Sequence, residues 1–157
     1  MDAIDREILA LLQADGRITL TELSKKVQLS LSRCQRRVRD LEAAGIIEGY
    51  RAVLNPGAVG LKFEALIFAT LDRAANVTAF DAALTEVPEV IEAQRLFGAP
   101  DYLLRIVTAD QTAFQRLYDE VLILLPGIRG LKSTIVMKQS VPLRPLPLKA
   151  PIRGKTG

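Results

Sequence analysis

Residues 30–44 read SLSRCQRRVRDLEAA, and this stretch decides the fold of the first part of the chain. At about 100° per residue, its apolar side chains fall on one stripe of a helix. That stripe consists of Leu31, Cys34, Val38 and Leu41. The opposite side and its flanks consist of Ser32, Arg33, Gln35, Arg36, Arg37 and Arg39. The pattern predicts a helix that buries one face and presents guanidinium groups on the other.

Two shorter amphipathic segments precede this helix. The apolar residues of the first follow helical spacing and are Ile4, Ile8, Leu11 and Leu12. Gly16 is expected to end it, and Thr19 with Glu22 forms a capping box that begins a second helix. The residues that the second helix directs inward are Leu20, Leu23 and Val27. Gln28-Leu29 then turns the chain, and Ser30 is predicted to cap the third helix, which ends before Gly45.

A short helix, a tight turn and a longer cationic helix are typical of a helix-turn-helix, whose second helix enters the major groove of DNA. There, Arg33 and Arg36 can each pair with guanine, and Gln35 can pair with adenine. We assign four cations to phosphates, namely Lys25, Lys26, Arg37 and Arg39. Ser30 and Ser32, at the start of the helix, complete the predicted DNA-binding set. The alternative is that this helix face is merely solvated.

The charge distribution along the chain is uneven, although the net charge of the 157 residues is only +3. Between Leu23 and Arg39 there are six cations and no acid. Residues 61–120 hold five cations and ten acids, and the residues after Glu120 hold seven cations and no acid. This asymmetry predicts a basic contact surface near one end, an acidic middle and a basic tail.

The composition argues for a binding protein rather than an enzyme. The chain has no histidine, which excludes a Ser/His/Asp triad and a histidine-based zinc site. Its one cysteine, Cys34, lies in the apolar stripe and is expected to be a small buried residue. The longest uncharged apolar stretch, 65–71, is far shorter than the roughly 20 residues of a membrane span. We therefore expect a cytoplasmic protein with no cofactor, no metal and no membrane segment.

The next segment is predicted to close the first domain. Ile46-Ile47 and residues 50–54 alternate enough for a short two-stranded wing or a connecting strand. Asn55-Pro56-Gly57 has the composition of a turn. The predicted DNA-binding domain is therefore a winged helix-turn-helix over residues 1–54, followed by a hinge over 55–61.

Residues 62–141 show a βαββαβ pattern. The predicted strands cover residues 63–71, 90–97, 102–108 and 131–141. Asn76 is expected to cap the first helix, which directs Phe80, Ala83, Leu84 and Val87 inward. Asp110 is expected to cap the second, whose inward residues are Phe114, Leu117, Tyr118, Val121 and Leu124. This order predicts a ferredoxin-like domain, so the chain as a whole is assigned to the α+β class.

The face of this sheet away from the helices is also apolar in part. Its apolar residues are Leu66, Phe68, Leu103, Val107 and Val136. An identical sheet would cover them, so we expect a homodimer, whose two DNA-binding domains suit a pseudo-palindromic operator. Residues 142–157 hold four prolines and four cations and are predicted to be an extended, then disordered, solvating tail. Phosphate binding by this tail is the alternative.

The chain carries a series of short fragments in a fixed order, namely residues 4–9 (IDREIL), 29–32 (LSLS), 36–38 (RRV), 41–42 (LE), 45–47 (GII), 49–50 (GY), 55–56 (NP), Gly98 with 101–104 (DYLL), and 146–148 (LPL). By these fragments the chain resembles the leucine-responsive/asparagine regulator (Lrp/AsnC) family of transcription factors from about Asp2 to Leu148. Two positions depart from the family pattern. Gln28 stands where a glycine or asparagine is usual in the turn, and Arg33 stands where a proline or another small residue is common.

The resemblance implies dimers that assemble further into tetramers or octamers and bind a small effector, usually an amino acid, between dimers. By that likeness, one subunit supplies the turn Gly98, Ala99, Pro100, Asp101 and Tyr102, and a neighbour supplies Ser133 and Thr134. Asp101 suits the ammonium group of an amino acid, and hydroxyl or backbone donors suit its carboxylate. The alternative is that residues 98–101 are only a hairpin turn.

The sequence therefore predicts a sequence-specific transcriptional regulator that responds to an effector. The alternative of a different class is an architectural, nucleoid-type protein that binds DNA without a ligand, with a steep salt dependence and little sequence preference. Relatives of this architecture also resemble enzymes that decarboxylate a modified tetrapyrrole. Those enzymes use histidines, which this chain lacks.

Overall fold

The chain forms two compact units in the computed structural model, which describes residues 1–72 and 77–148. The first, called here the helical unit, comprises residues 1–53 together with residues 141–148. The second, called the sheet unit, comprises Leu54–Ser140. The chain therefore passes from the helical unit into the sheet unit and returns to the helical unit.

Three helices build the helical unit: α1 (Ala3–Ala14), α2 (Leu20–Lys26) and α3 (Leu31–Ala43). Their buried core consists of Ile8, Leu9, Leu23, Val27, Cys34, Val38 and Leu41. The predicted capping box of α2 is confirmed, since Thr19 and Glu22 each accept from the other's backbone N–H. Asp2 and Asp5 form a second capping box at the start of α1. These caps satisfy N–H groups that have no partner within the helix.

The turn between α2 and α3 is left-handed at Gln28, whose φ is 53°. Among the described residues other than glycine, it alone has a positive φ. Its backbone N–H donates to the Lys25 carbonyl at 3.3 Å, and Leu29 N–H donates to the Ser24 carbonyl at 2.9 Å. A left-handed glutamine costs about 1–2 kcal/mol, which the packing of this turn offsets.

Several predictions for the helical unit are wrong in detail. Leu20 and Leu31, expected to point inward, are 36% and 48% exposed. Each is the first residue of its helix, and a helical side chain leans toward the N-terminus, beyond the packed layer. Ser30 occupies the N-cap position of α3, but its side chain makes no capping hydrogen bond. Residues 46–54 form no wing strand, since no neighbouring strand pairs with their N–H and C=O groups.

The sheet unit has the predicted βαββαβ order. Its elements are β1 (Phe63–Leu71), α4 (Val77–Thr85), β2 (Val90–Arg95), β3 (Tyr102–Thr108), α5 (Gln111–Glu120) and β4 (Ile128–Ile135). The sheet is antiparallel with the order β2-β3-β1-β4, which is ferredoxin-like. In the predicted hinge, Pro56–Val59 forms a 3-10 turn that the Asn55 side chain caps. The α+β fold class is confirmed.

Alternation along the strands separates the two faces of this sheet. Ala65, Ile67 and Ala69 are fully buried and pair with Ile106, Leu104 and Tyr102 of β3. With α4 and α5 they enclose the core, in which the largest fully buried side chains include Phe80 and Leu122. The other face, called here the outer face, carries Leu66, Phe68, Leu103, Val107 and Val136, which are buried or half-buried.

The ends of several elements in the sheet unit differ from the predictions. β4 covers residues 128–135 instead of 131–141. It pairs only with β1, which runs antiparallel to it and begins at Phe63, so β4 has no partner beyond that point. The last backbone bond between the two runs from Val136 N–H to the Glu64 carbonyl. β2 ends at Arg95. Leu124, expected inward, is 72% exposed because α5 ends at Glu120, and Leu122 and Leu125 enter the core instead. The predicted cap Asn76 lies outside the described residues.

The C-terminal segment 141–148 is not a free solvating tail. It has neither helix nor strand, as its prolines predict. The Gln13 side chain, however, accepts from Leu146 N–H at 2.6 Å and donates to the Leu146 carbonyl at 3.3 Å. Leu148 packs against the core of the helical unit. These contacts join residues 133 positions apart, so no local pattern announces them. The rest of the predicted tail, residues 149–157, lies outside the described residues.

Candidate DNA interface and effector cleft

The predicted DNA-binding side chains surround the outer side of α3. Those that are exposed are Lys25, Lys26, Ser30, Ser32, Arg33, Gln35, Arg36 and Arg39. Within the described chain, Arg33, Arg36 and Arg39 make no hydrogen bond or ion pair, and neither do the two lysines. The Ser30 and Ser32 hydroxyls lie 3.4 Å apart at the start of the helix. This set, called here the cationic face, presents five free positive charges on two consecutive helices.

The buried side of α3 fixes the direction of the cationic face. Cys34, Val38 and Leu41 are at most 8% exposed and pack against α1 and α2. Burial raises the pKa of the Cys34 thiol, as expected of a structural cysteine. Because three consecutive turns of α3 are anchored in this way, the arginines on the opposite side face solvent. A groove of DNA can therefore receive Arg33, Arg36 and Arg39 without displacing a hydrogen bond or ion pair among the described residues.

Arg37 differs from the other arginines of α3. Its Nη1 donates to Asp5 Oδ1 at 2.6 Å and to Asp2 Oδ2 at 2.8 Å, both at the start of α1. The hydrogen bonds to Asp5 and Asp2 raise the pKa of Arg37. The pKa of Asp2 is lowered by the backbone N–H of Asp5 and by Arg37. The structure therefore does not bring Arg37 into the cationic face.

A cleft of about 610 Å³, called here the outer cleft, lies where the β2–β3 turn meets β1 and β4. The residues that line it are Phe68, Thr70, Ala99, Pro100, Gly130, Leu131 and Lys132. Phe68 and Lys132 are directly paired across the two strands on the outer face. The cleft thus combines an aromatic ring, a hydroxyl group and an ammonium group. Its lining therefore offers an apolar surface and a cation that can bind an anion.

Only some of the predicted effector residues line the outer cleft. Ala99 and Pro100 line the cleft, and Gly98 precedes them with a φ of 129°, which favours glycine. Asp101 holds the turn on β1: its Oδ2 accepts from Leu71 N–H at 2.8 Å and its N–H donates to the Ala69 carbonyl at 2.9 Å. Its other carboxylate oxygen, Oδ1, makes no hydrogen bond to a described residue.

Tyr102, Ser133 and Thr134 do not line the outer cleft. Tyr102 points to the helices and donates to Asp81 at 2.6 Å, and burial followed by Asp81 raises its pKa to about 12. Ser133 pairs with Ile67 and so shares the helix side of the sheet. Thr134 pairs with Leu66 on the outer face. Because Ser133 and Thr134 are adjacent in a strand, their side chains lie on opposite faces.

Sequence reasoning missed five members of this cleft, namely Phe68, Thr70, Gly130, Leu131 and Lys132. Alternation along β1 places Phe68 and Thr70 on one face, which was a usable signal. Lys132 required the register of β4, and the predicted strand began three residues late, so its partner across the sheet was not fixed.

Comparison with known proteins agrees with both units. Residues 1–48 match the model for winged helix-turn-helix DNA-binding domains, and residues 64–146 match the Lrp/AsnC ligand binding domain. The chain is 40% identical over 141 residues to the leucine-responsive regulatory proteins of Salmonella typhimurium and Escherichia coli K12, covering 88% of this chain and 86% of theirs. This chain belongs to the Lrp/AsnC family. The predicted family resemblance is therefore confirmed.

Solved structures are similar over nearly all of this Lrp/AsnC regulator. A transcriptional regulator from Neisseria meningitidis, solved as a complex with L-Met, has a TM-score of 0.89 at 37% identity, with coverage of 94% of this chain and 97% of that one. An AsnC family regulator from Agrobacterium tumefaciens has a TM-score of 0.87 at 35% identity, with the same coverage. The protein is a DNA-binding transcriptional regulator with a ligand-binding domain. Among the described residues, no helix could span a membrane.

Proposed function

We propose that this regulator binds double-stranded DNA in a sequence-specific manner through the cationic face and that an amino acid in the outer cleft controls the binding. The observation that carries the proposal is the set of exposed arginines on α3 that have no acid partner among the described residues. A helix anchored by its apolar stripe presents such arginines to the major groove.

Within the cationic face, the residues have different roles. Arg33 and Arg36 contact guanine, and Gln35 contacts adenine, because these side chains match the donors and acceptors of those base edges. The residues that contact phosphates are Lys25, Lys26, Ser30, Ser32 and Arg39. Phosphate contacts place α3 on the duplex, and base contacts supply its sequence preference.

The proposed effector is an amino acid held against the outer face. The Lys132 ammonium binds its carboxylate, and the free oxygen of Asp101 accepts from its ammonium group. Phe68 and Pro100 contact an apolar side chain. The complex of the similar N. meningitidis regulator with L-Met supports this ligand class. Thr134 of a neighbouring subunit, which lies on the outer face, completes the site in the assembly.

The assembly proposed is a homodimer that associates into a tetramer or an octamer. The support is the outer face, where Leu66, Phe68 and Leu103 are only half-buried within one chain. A second copy of this sheet covers them, and the dimer presents two α3 helices to a pseudo-palindromic operator. We further propose that the protein acts in the cytoplasm, without a cofactor and without catalytic activity.

Binding to the DNA upstream of its own gene tests the proposal, with a panel of amino acids added to a gel-shift assay. We expect a distinct preference for this DNA over an unrelated duplex and a change in affinity or oligomer size with at least one amino acid. Arg36→Ala is expected to weaken specific binding by about 1–3 kcal/mol and to relax the preference. The exposed arginine Arg116, on α5 in the sheet unit, provides the control Arg116→Ala.

Two outcomes count against the proposal. If Arg36→Ala has the affinity and the sequence preference of the wild type at the same salt concentration, α3 is not the helix that contacts the bases. Binding that depends steeply on salt but shows no sequence preference, and no response to any amino acid, would instead favour the architectural alternative.

A further inference from the structure

Arg37 is held by a closed network of four hydrogen bonds at the start of α1. Asp2 Oδ1 accepts from Asp5 N–H, and Asp5 Oδ2 accepts from Asp2 N–H, each at 2.9 Å. The remaining oxygen of each carboxylate accepts from Arg37 Nη1, at 2.8 Å and 2.6 Å. Each of the two acids thus uses one oxygen to cap α1 and the other to bind α3.

This arrangement is unfavourable for a phosphate contact. The three side chains carry a net charge of −1, since two carboxylates surround one guanidinium group. A phosphate would have to displace both carboxylates and then lie beside them. The cleft next to Arg37 adds one acid, Asp40, and one base, Arg36, so these two side chains leave the net charge of −1 unchanged. Repulsion between these carboxylates and a phosphate disfavours such a contact.

The position of Arg37 on α3 suits a different role. It lies one residue before the buried Val38 and one after Arg36, so it connects the buried stripe to the cationic face. Its side chain is 30% exposed and that of Asp5 is 15% exposed. Screening by water is therefore weaker here than at the free arginines. An ion pair at this point restrains the rotation of α3 about its own axis relative to α1.

We propose that Arg37 is a positioning residue, which holds α3 in the orientation that reads bases and does not itself contact DNA. The proposal rests on the proposed reading of DNA by α3 and changes the role that the sequence alone assigned to Arg37. Since rotation of α3 moves Arg33 and Arg36 away from base edges, loss of the network lowers sequence preference more than it lowers affinity for DNA in general.

The test compares Arg37→Gln with the matched control Arg39→Gln, from the same helix. Binding to the upstream DNA and to an unrelated duplex is measured over a range of salt concentrations, below the unfolding temperature of each variant. Arg39→Gln should make the negative slope of log affinity against log salt shallower by about 0.9, as loss of one phosphate contact does. Arg37→Gln should leave this slope unchanged and should lower the ratio of specific to non-specific affinity by about threefold to thirtyfold.

Two more variants guard against a general folding defect. Asp5→Asn keeps an oxygen for the cap but loses the charge that binds Arg37. It should also lower the ratio of specific to non-specific affinity. In the double variant Asp5→Asn/Arg37→Gln, the two effects should be non-additive. In the wild type, Nη1 of Arg37 makes the bonds to both carboxylates, so a single ammonium group can replace it. Arg37→Lys should therefore keep most of the wild-type ratio of specific to non-specific affinity.

Three results would overturn the proposal. A reduced salt slope in Arg37→Gln, equal to that of Arg39→Gln, would make Arg37 a phosphate contact. A lowered melting temperature with an unchanged ratio would make the network purely structural. A ratio near one in the wild type would instead remove the proposed function itself, which distinguishes that failure from a failure of the role given to Arg37.

Discussion

Replacing Gln13 by alanine is expected to loosen the helical unit, because Gln13 holds the C-terminal segment against α1. It accepts one hydrogen bond from Leu146 at 2.6 Å and donates another at 3.3 Å. An intramolecular hydrogen bond contributes on the order of 0.5–1.5 kcal/mol. Since both bonds are exposed and the second is long, we expect Gln13→Ala to lower the free energy of unfolding by about 1 kcal/mol.

Cys34 provides a direct assay of this loss. It is the only cysteine of the chain, and its side chain is fully buried in the core of the helical unit. A thiol reagent reaches it only when this unit opens, so the reaction rate at fixed pH follows the open fraction. A loss of about 1 kcal/mol increases that fraction roughly fivefold. The rate should therefore rise about fivefold in Gln13→Ala.

The control and the refutation use two further variants. Gln115 is exposed on α5, outside the helical unit, and Gln115→Ala should react at the wild-type rate. Deletion of residues 141–157 also removes Leu148, which packs on the same core, and should raise the rate beyond that of Gln13→Ala. If both Gln13→Ala and the deletion react at the wild-type rate, the C-terminal segment does not stabilise the helical unit.

Three other predictions concern the outer cleft and local backbone and side-chain conformation. Lys132→Gln should weaken binding of an effector amino acid by about tenfold in calorimetry, as loss of a charged hydrogen bond does, whereas the control Lys138→Gln should not. Gln28→Gly should stabilise the helical unit by about 1 kcal/mol and slow the reaction of Cys34, because glycine adopts a positive φ without strain. Tyr102→Phe should leave effector affinity unchanged, since that side chain faces α4. In the wild type, the raised pKa of Tyr102 stabilises the folded state. This contribution is complete below about pH 10 and disappears as the pH rises toward about 12. The melting temperature of Tyr102→Phe should therefore not show this decrease between about pH 10 and pH 12.

The sequence predicted well those features that depend on a repeating pattern of apolar residues or on a helix cap a few residues long. The stripe of Cys34, Val38 and Leu41 repeats at helical spacing, and the capping box of Thr19 and Glu22 spans three residues. Alternation along β1 likewise separated its core residues from the outer face. In each case the deciding interaction lies within one element, so that the neighbours along the chain contain the information.

The features that sequence did not predict depend on pairs far apart in the chain. Arg37 was assigned to DNA because its own helix gives no sign of Asp2 and Asp5, more than 30 positions away. Lys132 was missed because its site depends on the register of β4 against β1. Such pairings are set by packing, which short sequence fragments do not encode. Tyr102 is a different case, because alternation with Leu103 already directs its side chain to the helices, and only the family resemblance assigns it to the effector site.

The return of residues 141–148 to the helical unit makes the sheet unit an insertion in chain order. During synthesis, the ribosome completes Leu54–Ser140 before it releases the segment that carries Leu146 and Leu148. The three helices can fold early, but they gain their last contacts only after the ligand-binding sheet has been made.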